Sequence, residues 1–232
     1  DVYRVRVLGE FPTSDTDTVI PLNLIEEAAA RDIEPITNIM PVWGLDVARY
    51  GSCRTALVKR RGNEVLETKT WRKRDTMEVA GLVMHEYEEC HSDLLPAIIN
   101  VDAIGLGAGV ADRLRELELP VNAINVAETA SGKQLYANLR AELWWRARSW
   151  FEERICKMTD TELGAELSIV RYKYMSTGKI LIEKKEEMMD RGVQSPDLAD
   201  AFVLTFAGAD RRKTQHQKYE RKASQPRGAW AA

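Results

Sequence analysis

Val42-Trp43-Gly44-Leu45-Asp46-Val47 reads as an apolar strand that ends on a carboxylate, and it decides how the rest of the chain is read. A strand buried on both faces has no water at its centre, so an ionised carboxylate there is costly unless a cation or a hydrogen-bond donor meets it. The pattern recurs at Ile98-Ile99-Asn100-Val101-Asp102, and two more acids stand in Ser195-Pro196-Asp197-Leu198-Ala199-Asp200-Ala201. Carboxylates that converge in one fold repel each other, and a divalent metal relieves the repulsion. The expectation is a metal-dependent nuclease, with one metal activating water and a second stabilising the leaving oxygen of a phosphodiester.

Outward from this strand, Thr55–Arg60 and Glu64–Trp71 read as two further strands joined by a tight turn at Gly62-Asn63, which predicts an antiparallel meander running from a first strand that reaches Tyr50. Helical spacing from Met77 to His91 precedes a short strand at Ala97–Val101. Glycines 105, 107 and 109 lead into a helix from Val110, followed by a strand at Pro120–Val126 and a longer helix from about Tyr136 to Phe151. A hairpin is expected across Thr177-Gly178, between Ile169–Met175 and Lys179–Ile182. Ser195 as N-cap and Pro196 in the first helical position open a closing helix. The fold class is α/β: a mixed sheet flanked by helices, with an added β-hairpin. The topology sets the strand ending at Asp46 beside the one ending at Asp102, carboxyl ends together, where open α/β sheets bind ligands.

Asp197 and Asp200 lie three residues apart, so both project from one side of the first helical turn. The bland alternative is a favourable first-turn acid and a solvated neighbour. Asp200 sits between Ala199 and Ala201, and such small neighbours permit close approach to a strand. The glycine run does not fit dinucleotide binding, because its spacing is G-x-G-x-G and the acid precedes it. Ser131-Gly132-Lys133 is no P-loop, since Gln134 stands where Ser or Thr is required. Lys185 and Arg191 are candidates for contacting DNA phosphate, against a solvated charged helix as the alternative.

With 232 residues and 44% hydrophobic composition, the chain has enough apolar residues for a full core. The net charge of −3 argues against a strongly basic nucleic-acid binder. Yet residues 211–232 hold seven Lys and Arg against Glu220 alone, a basic tail expected to be mobile. Cys53, Cys90 and Cys156 include no CxxC pair, so neither a disulfide framework nor a zinc site is indicated. No apolar run approaches the length of a membrane span, and a soluble intracellular protein is expected. Asp1 in place of Met suggests a piece of a longer polypeptide.

The chain resembles the C-terminal nuclease domain of the large terminase subunit of tailed bacteriophages. The resemblance runs through residues 44–51, 101–110, Asn138-Leu139-Arg140-Ala141-Glu142, and Arg191-Gly192 with residues 195–201. It implies an RNase H-like fold and a two-metal-ion endodeoxyribonuclease that uses Mg²⁺ or Mn²⁺ to cut concatemeric viral DNA during packaging. By position, Asp46 would bridge the metals, Asp102 would bind one, and Asp200 would complete the site with Asp197 beside it. The implied organisation is a lead-in over residues 1–40 from an upstream ATPase domain, the nuclease over 41–210, and the tail over 211–232. Implied partners are double-stranded DNA, the portal protein and the terminase small subunit, in the host cytoplasm and at no membrane. The chain departs from the resemblance after Gly51, where Ser52 and Cys53 stand in place of acids. Two other functions are compatible with the sequence: a module docking the motor to DNA or portal that cuts only when assembled, and a nuclease like a Holliday-junction resolvase.

Overall fold

The computed structural model describes residues 17–48 and 54–208. The expected meander is present as β1 (Val42–Asp46), β2 (Thr55–Arg61) and β3 (Glu64–Trp71). Gly62, at φ +53°, takes the left-handed backbone that lets β2 reverse into β3. Parallel neighbours need a crossover. Accordingly α2 (Thr76–Glu88) precedes β4 (Ile98–Asp102), and α3 (Gly107–Glu116) leads to β5 (Val121–Ile124). The strand order is β3-β2-β1-β4-β5, with β1 antiparallel to β2 and parallel to β4. Leu45 pairs with Val101, so the next residues, Asp46 and Asp102, finish adjacent strands at one sheet edge.

Side chains alternate between the faces of a strand. Trp43, Leu45, Leu57, Ile99 and Val101 enter one core cluster with Val79 and Val83 of α2 and Val110 and Leu114 of α3. Gly44, Asp46, Asn100 and Asp102 therefore belong to the other face. There Ala56 and Val58 share a second cluster with α4 (Leu139–Glu152), α5 (Thr161–Ile169) and α7 (Asp197–Leu204). Within the expected lead-in, α1 (Leu22–Ala30) buries Leu24, Ile25 and Ala28 in this same cluster. The hairpin forms a separate two-stranded sheet, β6 (Tyr172–Tyr174) with β7 (Ile180–Ile182), followed by the short α6 (Lys185–Asp190).

Several boundaries differ from expectation. β1 stops at Asp46, and residues 49–53, with Ser52 and Cys53, lie outside the described residues, as do residues 1–16 and the basic tail. α3 starts at Gly107, ahead of Val110, because glycine lets the helix begin against the strand end: a Cβ there would overlap the Asp102 carbonyl oxygen. α5 was not expected; it opens on Asp160, whose carboxylate accepts the Leu163 N–H at 2.8 Å. Ser195 does not cap α7. Pro196 occupies that position without a side-chain cap, and the buried Ser195 hydroxyl has no hydrogen-bond partner. The cap comes from another helix, as Glu166 of α5 accepts the Ala199 N–H at 3.0 Å.

Two contacts seat α7 on β1 and β4. A Cβ on Gly44 would overlap the Ala201 carbonyl oxygen, so the helix lies directly on bare β1 backbone. Asn100, fully buried, donates to the carbonyls of Leu204 and Ala207, each at 2.8 Å, and satisfies the end of the helix. Gly44→Ala is expected to destabilise the protein by about 2–3 kcal/mol, as for overpacking at a tight interior contact. A denaturant melt checks it, and an unchanged midpoint would mean that α7 can rise off β1 freely.

Candidate active site

Asp46, Asp102 and Asp200 line one cavity of about 400 Å³, with Arg140 and Lys185. Strand alternation delivers the first two and the α7 contact on Gly44 delivers the third. The walls include Val47, Ile104, Val126 and Leu143, which lower the local polarity. Lys185 Nζ lies 3.1 Å from Asp200 Oδ2 and 3.4 Å from Asp46 Oδ2. Arg140 donates to Asp200 Oδ1 at 3.0 Å and to the Glu183 carbonyl at 2.8 Å, which ties its guanidinium to the chain leading into α6. Asp102 Oδ1 accepts the Ile104 N–H at 3.0 Å.

These surroundings separate the three acids. Burial pushes the Asp46 carboxyl up to about 7 against the pull of Lys185, and Asp200 and Asp102 add to the rise. Burial also raises Asp102, against its bond from Ile104. Burial acts in the same direction on Asp200, but Arg140 and Lys185 outweigh it and hold this carboxyl below the usual range. Lys185 is raised, since Asp200 and Asp46 overcome its desolvation. Of the two acids that meet Lys185, Asp46 is thus the less compensated, because Asp200 also has Arg140.

Asp197 is not brought into this cavity. It is buried on the other side of the α7 first turn, where Oδ2 accepts the Arg54 N–H at 2.8 Å and Oδ1 has no partner. It lines a second cleft of about 300 Å³ with Arg54, Arg72 and Ser195. Arg191 is also elsewhere, its guanidinium bonded to both Glu183 oxygens, at 2.6 and 3.1 Å, and to the Ile169 carbonyl at 2.6 Å. Lys185, expected at DNA phosphate, instead pairs with the carboxylates. Arg140 is a site residue that the sequence alone does not single out, although it lies off the apolar face of α4 and two residues after Asn138. A larger cavity, about 450 Å³, lies at the far end of β2 among Tyr136, Trp145, Trp150 and Phe206, away from the acids.

The donor chemistry suits a hard divalent cation, since three carboxylates meet at one opening. Among the described residues, no three Asp, Glu, His or Cys side chains are drawn together closely enough to hold one, and the Lys185 ammonium contacts both Asp46 and Asp200. An ammonium in that place marks where positive charge is stabilised.

No family model matches the sequence, and no curated protein matches it. Solved structures share its fold. A mutant nuclease domain of the large terminase subunit gp2 of bacterial virus Sf6, with manganese and beta-thujaplicinol, superposes with a TM-score of 0.64 at 16% identity, covering 81% of this chain and 97% of that one. The large terminase nuclease from thermophilic phage G20c gives 0.60 at 11% identity, with 83% and 98% covered. The same nuclease with bound magnesium gives 0.60 at 12% identity, with 83% and 97% covered. The chain therefore has the RNase H-like fold of terminase nuclease domains, a mixed five-stranded sheet flanked by helices.

The raised Asp46 carboxyl has a consequence for stability. Its folded value lies above the ordinary value of about 4, so its contribution favours folding while the group is protonated and is lost as pH rises through about 7. Asp46→Asn is expected to stabilise the metal-free protein by about 1–2 kcal/mol at pH 8, with the gain vanishing near pH 4. Urea melts in EDTA at both pH values check this. A loss at pH 8 would show that pairing with Lys185 outweighs burial.

Proposed function

We propose that this chain is a metal-dependent endonuclease domain that cuts concatemeric viral DNA during genome packaging. The observation that carries the proposal is the convergence of Asp46, Asp102 and Asp200 on one cavity at the carboxyl edge of β1 and β4, in a fold shared with phage terminase nucleases. The solved relatives with manganese and magnesium support the same ions here. Asp46, Asp102 and Asp200 would hold the ions, with Asp46 shared between them. When bound, such ions supply an activated water and stabilise the leaving oxygen of the phosphodiester.

The chain's own groups prepare that chemistry. Arg140, anchored on the Glu183 carbonyl, keeps Asp200 ionised and oriented. Lys185 neutralises Asp46 and Asp200 before metal arrives, and its flexible stem lets the ammonium turn outward towards a phosphate. The apolar walls at Ile104, Val126 and Leu143 limit water around the acids and strengthen every charge interaction there. Asp197, across the helix, secures Arg54 instead of serving as a direct ligand. The substrate is double-stranded DNA. An upstream ATPase domain, the terminase small subunit and the portal protein are the partners we assign, with residues 1–40 as lead-in and 211–232 as a basic partner-binding tail, in the host cytoplasm. Among the described residues, no helix is long and apolar enough to cross a membrane.

Plasmid nicking should require added Mg²⁺ or Mn²⁺ and be abolished by Asp46→Asn in a folded protein. Robust cleavage in EDTA would end the two-metal assignment. Asp200→Ala should lower nicking by about 10³-fold or more, in the range of a lost transition-state contact, and should be more damaging than Asp197→Ala at every metal concentration. The reverse ranking would move the ligand to Asp197. Arg191→Ala should reduce the melting temperature while leaving cleavage by the folded fraction close to wild type, because its Nε and Nη2 are bonded to Glu183 and Ile169. Loss of cleavage at unchanged stability would restore it as a DNA contact.

A further inference from the structure

α7 carries Asp200 in its first turn, yet it has no cap of its own. Pro196 has no side-chain donor or acceptor to offer, and the Ser195 hydroxyl makes no bond. An uncapped first turn frays, because its N–H groups lack acceptors inside the helix. Here the acceptor is brought in from α5. Glu166 is nearly buried, at 9% exposure, and its Oε2 accepts the Ala199 N–H at 3.0 Å. Its other oxygen accepts from Arg54 Nη2 at 2.6 Å, and the Arg54 backbone N–H in turn donates to Asp197 at 2.8 Å. The first turn of α7 is thereby held from two sides, by α5 through Glu166 and by the start of β2 through Asp197.

We propose that Glu166 is a positioning residue: from α5 it supplies the helix cap that α7 lacks and so fixes Asp200 in the cavity with Asp46 and Asp102. Its carboxylate touches no group of that cavity, and it acts through the backbone next to Asp200. The chain from α5 to the cavity is short: Glu166 to the Ala199 N–H, and one residue on to Asp200, whose carboxylate meets Arg140 and Lys185. Length matters more than charge in this role. A glutamine can present its amide oxygen to the Ala199 N–H while giving up the bond from Arg54, which keeps Glu162, whereas an aspartate keeps the charge but is one methylene too short.

The metal-dependent arm of the test rests on the proposed nuclease function, and the exchange arm does not. Amide hydrogen exchange at Ala199 and Asp200 and the Mn²⁺ concentration giving half-maximal plasmid nicking are measured for wild type, Glu166→Gln, Glu166→Asp and Glu166→Ala, alongside thermal melts. Glu166→Gln is expected to stay within about twofold of wild type in both readouts, since the cap persists. Glu166→Asp and Glu166→Ala are expected to speed first-turn exchange and raise the Mn²⁺ midpoint, each by about five- to tenfold, the scale of a lost helix cap. Rate at saturating Mn²⁺ should recover substantially, as expected for a displaced ligand and not for a lost reacting group. If Glu166→Ala does not fold, the Gln and Asp variants decide. Wild-type exchange and midpoint in Glu166→Asp, or a Glu166→Gln as impaired as Glu166→Asp, would overturn the proposal. Absent metal-dependent nicking in wild type would instead refute the nuclease function and leave the cap to be judged by exchange alone.

Discussion

The contact between α7 and the bare backbone of β1 at Gly44 is the constraint on which the site depends. A side chain at position 44 would collide with the Ala201 carbonyl, and the helix would have to rise away from the sheet. Asp200 precedes Ala201, so any lift of the helix carries this acid away from Asp46, two residues beyond Gly44 on the same strand face. Asn100 repeats the arrangement on β4, occupying the α7 face two residues before Asp102 and holding the far end of the helix. On each central strand, then, one residue seats the helix and the next residue on that face faces the site. Packing and chemistry are set by the same alternation.

Charge balance explains why such a site is tolerated. Unpaired buried carboxylates would cost several kcal/mol each. Two cations serve the cluster, and they serve it unequally. Arg140 is fixed by the Glu183 carbonyl and attends Asp200 alone, so Asp200 stays ionised. Lys185 is shared, and burial keeps Asp46 raised against the pull of an ammonium that approaches Asp200 more closely. A lysine is the better choice for the shared position, because its point charge on a flexible stem can leave without dismantling a bonded frame, whereas Arg140 cannot. The asymmetry leaves Asp46 less neutralised than Asp200.

Much of this was legible in the sequence, and the omissions have physical causes. Apolar strands ending in aspartate, separated by a crossover, were enough to set Asp46 and Asp102 at one sheet edge, because strand periodicity is local information. The closing helix was legible from its apolar spacing, but its cap was not, since the acceptor comes from a helix over thirty residues earlier. α5 was passed over because it is nine residues long and amphipathic only weakly, with its stability drawn from tertiary packing. Arg191 and Lys185 look alike in sequence, as basic residues among acids ahead of the closing helix. Only the fold tells them apart, by setting Glu183 against one and the cavity against the other.

The pair Asp197 and Asp200 shows the limit of spacing arguments. Residues three apart on a helix share a side in projection, which led to both being expected at the metals. α7, however, lies along β1 with its first turn over the sheet edge, and a modest angular offset is enough to direct the two side chains to different neighbours. Asp200 meets α4 and α6, where two cations wait. Asp197 meets the start of β2, where a backbone N–H and the Arg54 side chain are available. A helix that is buried almost all round, as α7 is from Leu198 to Leu204, has no single polar face on which two acids could agree. Each acid therefore takes its partners from the layer it contacts, and Gly44, Asn100 and Glu166 set where α7 lies among those layers.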